Sequence, residues 1–99
     1  MAAAAEVLQV RNATLLQVGD SNRSYSVELA CLAVEPDQQQ PAIDWLRQQL
    51  PRRSRVNLRP MGNHDGILLA RVQKLGTETD ISSGLISAGL ASLPPACSA

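Results

Sequence analysis

The sequence predicts an α+β domain that is mainly β, a five-stranded barrel with one helix after the third strand and one near the C-terminus. Three observations carry this. Tyr25, Val27, Leu29 and Cys31 alternate with Ser24, Ser26, Glu28 and Ala30, the period of two of a half-buried strand. Ile43, Leu46 and Leu50 recur at helical spacing, and Pro51 stops that run. The remaining apolar stretches are short and bounded by Gly, Asp and Asn, which tolerate the backbone of tight turns. With 99 residues, 44% of them hydrophobic, the chain has room for one core and one domain.

Taken in order, residues 6–18 mix Val7, Val10, Leu15, Leu16 and Val18 with polar groups and are expected to form one long, bent first strand. Gly19, Asp20 and Asn22 supply turn chemistry, and the stretch from Asp20 to Tyr25 looks too long for a two-residue hairpin, so a short second strand is expected to begin near Asn22. The alternating strand follows, running through Cys31. Glu35, Pro36 and Asp37 lead into a helix whose first turn suits Pro41, where the missing N–H is not needed. In residues 53–59, Arg53, Arg55, Asn57 and Arg59 alternate with Ser54, Val56 and Leu58. A strand there turns the arginines to one side and Val56 and Leu58 to the core. Residues 61–66 are expected to be a loop joining it, as a hairpin, to a strand over 67–72. Asp80 caps a helix over 81–88, closed by a left-handed Gly89 with Leu90 folded back as its apolar partner. The domain core spans about 6–92, and 93–99 form a flexible tail. Short strands with a helix inserted after the third match an OB-type barrel with a helix closing its end.

One Trp, one Tyr and no Phe leave a core of Leu, Val, Ile and Ala, with Trp45 as its large anchor. Nine basic residues, eight of them Arg, balance nine acidic ones, so the chain lacks the long-range field of a dedicated nucleic-acid binder. A local basic patch is still compatible with that balance. Cys31 and Cys97 have no short spacing, which suits neither a disulfide framework nor a zinc site; Cys31 is expected to be a small buried hydrophobe. The start Met1 to Glu6 has no basic region and no apolar run, so neither a signal peptide nor membrane insertion is expected, and a cytoplasmic location follows.

Gly19-Asp20-Ser21, the strand from Val27 to Glu35-Pro36, the turn Asp65-Gly66-Ile67 and the closing Leu85 to Ala91 appear in a telling order. Together they resemble the staphylococcal-nuclease-like (thermonuclease-like) domain, an OB-type barrel, over roughly residues 13–92. The resemblance implies where catalytic groups would stand, and there the chemistry departs. Glu28 occupies the place of an arginine that grips the scissile phosphate. Ala33 replaces a calcium carboxylate, and Ile67 replaces the arginine that stabilises the transition state. The Pro-Glu carrying the general base is inverted as Glu35-Pro36, and Asp20 alone is kept. Phosphodiester cleavage needs cations where negative charge builds up, and a calcium site needs several carboxylates. A pseudoenzyme is therefore expected, with no catalytic residue, no cofactor and no metal.

Other chemistry has plainer readings. His64 could pair with Asp65 as a base, but no nucleophile is placed for it, and a solvated turn residue is the expectation. Glu35, Asp37 and Asp44 read as a polar loop and the acidic start of a helix. The strongest positive feature is the run Arg47, Arg52, Arg53, Arg55 and Arg59, in which Arg47 and Arg52 also suit a helix C-terminus. We take Arg52, Arg53, Arg55 and Arg59 as the candidate partner-binding residues. The partner expected is another protein, with the chain as interaction module or accessory subunit. The alternatives are weak binding of single-stranded nucleic acid, for which aromatic stacking platforms are lacking, and a divergent calcium-dependent phosphodiesterase rebuilt around Asp20, Glu35 and Asp65.

Overall fold

The computed structural model describes residues 3–20, 23–77 and 79–94. Five strands, β1 (Ala3–Val10), β2 (Leu15–Asp20), β3 (Arg23–Leu29), β4 (Arg55–His64) and β5 (Ile67–Lys74), close into a barrel in the order β1-β2-β3-β5-β4. Neighbours are antiparallel except β3 and β5, which run parallel. A short 3-10 turn (Pro36–Gln38) and helix α1 (Gln39–Gln49) separate β3 from β4, and α2 (Ile81–Ser87) follows β5. This is the OB-type arrangement expected from the order of elements.

Several boundaries differ from the sequence expectation, each for a local reason. The long first strand over 6–18 is two strands. The Asn12 side chain accepts from the Thr14 N–H at 2.9 Å, and the Arg11 N–H donates to the Leu15 carbonyl at 2.9 Å, so an Asx-type turn reverses the chain. The pairing of β2 with β3 extends to Asp20 and Arg23. Only two residues then lie between these strands, fewer than expected, and both are outside the described residues. Residues 61–64 continue β4 instead of forming a loop. The reversal is confined to Asp65 and Gly66, whose φ of 52° and 81° are both positive, as a type I′ turn requires.

Inward positions are filled by aliphatic side chains. Val7, Leu16, Val18, Val27, Val56, Leu58, Ala70 and Val72 are buried, and Leu46 of α1 and Leu85 of α2 plug the barrel. Each such Val or Leu contributes roughly 1.5–3 kcal/mol by leaving water. Trp45 is half-buried against this cluster rather than inside it. α2 is fixed by three devices. The Asp80 carboxylate accepts from the Ser83 N–H at 3.2 Å. The buried Ser82 hydroxyl donates to the Ala30 carbonyl at 2.9 Å. At its end Gly89 has φ 77°, and the Leu90 N–H reaches back to the Leu85 carbonyl at 3.0 Å, the closing pattern read from the sequence.

Cys31 departs most from expectation. It lies beyond the end of β3 with φ 58°, is half-buried, and is disulfide-bonded. The period-two pattern places it on the strand as a small buried hydrophobe, but the chain leaves the sheet at Ala30. Cys97, the other cysteine, and residues 95–99 of the tail expected over 93–99 lie outside the described residues. Among the described residues no helix is long and apolar enough to cross a membrane.

Gly84 faces Trp45, and a Cβ there would lie 2.7 Å from the ring's Cη2 atom, closer than packed carbons approach. Gly84→Leu is expected to lower the unfolding free energy by about 2 kcal/mol through overpacking and to change the emission of Trp45. Urea denaturation followed by fluorescence checks this; unchanged stability and emission would show that the ring has room to move.

Candidate functional site

The structure splits the run of arginines. Arg52 is exposed in the turn after α1 and, with Arg47, borders a shallow groove against Val7 to Val10. Arg53 does not join β4. Its φ of 74° breaks the strand, its N–H donates to the Val7 carbonyl at 2.6 Å, and its guanidinium stands 3.9 Å from Glu6. Arg55 and Arg59 do lie on β4, exposed, on the outer side from buried Val56 and Leu58. They are four residues apart, about 13 Å along a strand.

On the neighbouring strand, Arg59 is the direct partner of Arg71, and Asn57 of Gln73. Residues paired across an antiparallel ladder stand about 5 Å apart at Cα, and like charges so placed repel. Asp80 relieves this repulsion. Its carboxylate accepts from Arg71 Nη1 at 2.8 Å, and the pair is partly buried, with Asp80's side chain 14% and Arg71's 35% exposed. Burial alone would raise the Asp80 pKa, but hydrogen bonds from Ser83 and Arg71, with the charge of Arg71, more than offset it and hold the group below 3.8. Arg59 has no ion pair among the described residues. Asn57, Arg59, Arg71, Gln73, Asp80 and Ser83 line an open cleft of about 590 Å³ between β4, β5 and α2. Arg71, Gln73 and Asp80 were not singled out from the sequence, because only strand register brings them to Arg59.

The positions implied by the nuclease resemblance do not converge. Glu28 is paired with Leu15 on one side and Leu69 on the other, a carboxylate in an outward row of aliphatic residues. Ile67 begins β5 on the same outer side. Asp20 is at the opposite end of β2, five pairs from Glu28, or about 17 Å. Glu35, exposed, precedes the 3-10 turn beyond the far end of β3, and Ala33 bridges to Ser92. Asp65 is in the β4–β5 turn. Among the described residues no three of His, Cys, Asp and Glu come together as a metal site would need. The side chain of His64 lies outside what the structure describes. Tyr25 is half-buried, with Arg23 stacked 6.0 Å from its ring centroid, so neither Tyr25 nor Trp45 stands out as a stacking platform. No protein-family model matches this chain, and no curated protein is similar to it.

Because the folded state holds the Asp80 carboxylate more strongly than the unfolded chain does, its stabilisation is full above the ordinary value of 3.8 and is lost as pH falls through the folded-state value. Asp80→Asn keeps a helix-capping oxygen and removes the charge. We expect it to cost about 1 kcal/mol at pH 7, with wild-type and variant stabilities converging toward pH 2 in denaturant titrations. A gap that persists at acid pH would assign the effect to packing.

Proposed function

We propose that this chain is a non-catalytic member of the staphylococcal-nuclease-like domains, an interaction module or accessory subunit that docks an acidic segment of a protein partner. The observation that carries the reading is the contrast between two outer faces. The face of β4 and β5 presents exposed Arg55 and Arg59 with Arg71 beside them. The face of β2 and β3, where OB-type barrels take oligonucleotides, carries Glu28 between leucines and no aromatic platform. Glu28 works against a phosphate on the second face, while the guanidinium groups of the first draw anionic groups. Arg52 and Arg53 lie in the turn before β4 and outside this face, with Arg53 already shared with Glu6.

A cytoplasmic location fits this reading only if the Cys31 disulfide is open there, since the cytosol keeps most thiols reduced. Thiol labelling of the protein in its source cell separates a reducing from an oxidising compartment.

The reading is tested by fluorescence titration with a twenty-residue polyglutamate and with a twenty-nucleotide oligo-dT. Polyglutamate is expected to bind the more tightly, more weakly as salt rises, and not at all to the Arg55→Glu/Arg59→Glu variant. Tighter binding of oligo-dT would favour the nucleic-acid alternative, and DNA degradation on adding calcium would overturn the non-catalytic reading.

A further inference from the structure

The cleft between β4, β5 and α2 has the chemistry of a discrete subsite within that docking face. Among the described residues, Arg71 spends one of its five N–H donors, on Asp80. The Asp80 carboxylate is in turn occupied by Arg71 and by the Ser83 N–H. Asp80 thus neutralises Arg71 and leaves the charge of Arg59, its cross-strand partner, uncompensated among the described residues. Two arginines paired across the ladder and lining one cleft, with one counter-charge among the described residues, form an arrangement that a second anion completes.

We propose that this cleft binds one Asp or Glu side chain of the partner, its carboxylate bridging Arg59 and the free donors of Arg71. A planar carboxylate matches the fork of a guanidinium and takes two parallel hydrogen bonds from it. Asn57 lies beside the two arginines and adds an amide donor. Gln73 is less free, since its amide already donates to the Thr77 carbonyl at 2.6 Å. Arg71 is fixed by its ion pair, so it is oriented before the ligand arrives, and little ordering cost remains on that side. The exposed Arg55, about 13 Å away along β4, is placed to meet a second acidic side chain about four residues further along an extended segment. Leu75, 43% exposed, donates its N–H to the Arg55 carbonyl and offers an apolar neighbour there.

This assignment rests on the docking function proposed above, and its test separates the two. The full chain, labelled with ¹⁵N, is titrated with the twenty-residue polyglutamate while backbone amides, arginine Nε–H groups and the Asn57 amide are followed by NMR. The largest shifts are expected at Asn57, Arg59 and Arg71. Arg59→Gln is expected to weaken binding by about tenfold, against less than twofold for Arg11→Gln, which removes the same charge from an exposed position in the β1–β2 turn. Unchanged thermal unfolding of both variants establishes that they are folded. Shifts centred on Arg52 and Arg53, with a silent cleft and equal losses for the two variants, would overturn the subsite and leave the docking function standing. No binding of polyglutamate by the wild type would overturn both. Stronger engagement of the cleft by oligo-dT would overturn the choice of carboxylate as ligand.

Discussion

β5 is hydrogen-bonded along both edges, antiparallel to β4 and parallel to β3, and the register of these two ladders decides which side chains fill the barrel. Leu29 meets Ala70, and Leu58 meets Val72, so the interior receives aliphatic groups from three strands at once. A slip of one residue would send Arg71 and Gln73 inward and put Ala70 and Val72 in water. Two devices pin the register. The two-residue turn at Asp65 and Gly66 fixes the hairpin end, and a bulge between Pro60 and Gly62 takes up one extra residue, Met61, which is 52% exposed. Pro60 is tolerated at this irregularity because it has no N–H to give a ladder.

The same register makes the cleft. Burying Val72 places Arg71 outside, opposite Arg59, and the resulting repulsion needs a counter-charge at that spot. Asp80 supplies it while also capping α2, so one carboxylate joins the last helix to the barrel wall and settles the charge balance of the face. Packing of Gly84 against Trp45 and the buried hydrogen bond from Ser82 to Ala30 hold α2 on its other sides. The position of Asp80, and with it the charge of Arg59 left uncompensated among the described residues, is therefore set by contacts made for folding.

What could be read from the sequence follows from what is local. The alternation of Tyr25, Val27 and Leu29, the stripe of Leu46 and Leu50, the Asp80 cap and the Gly89 closure are each written within a few neighbouring residues, and each is present. The break at 11–14 was missed because Asn12 acts through one side-chain hydrogen bond inside an otherwise strand-like apolar pattern. Arg53 looked like part of a strand by alternation, but the turn leaving α1 needs a left-handed residue there. The pairing of Arg59 with Arg71 joins positions twelve apart, and nothing in either segment alone fixes that register. Cys31 followed the strand's rhythm, and its bonding depends on where the chain turns after Leu29.

A chain of zero net charge can still present a directed face, because screening keeps charges local. At physiological salt the Debye length is about 8 Å, shorter than the separation of about 13 Å between Arg55 and Arg59. Arg55 on one side and the Arg59–Arg71 pair on the other therefore act as separate local charges, little affected by Glu28 or the acids of the α1 region on other faces. A continuous line of phosphates gains most from a continuous cationic groove and from bases stacked on aromatic rings, and this face supplies neither. On the docking reading proposed above, separate carboxylates on an extended segment match separate guanidinium groups. That reading rests on the spacing of charge on β4 more than on its amount.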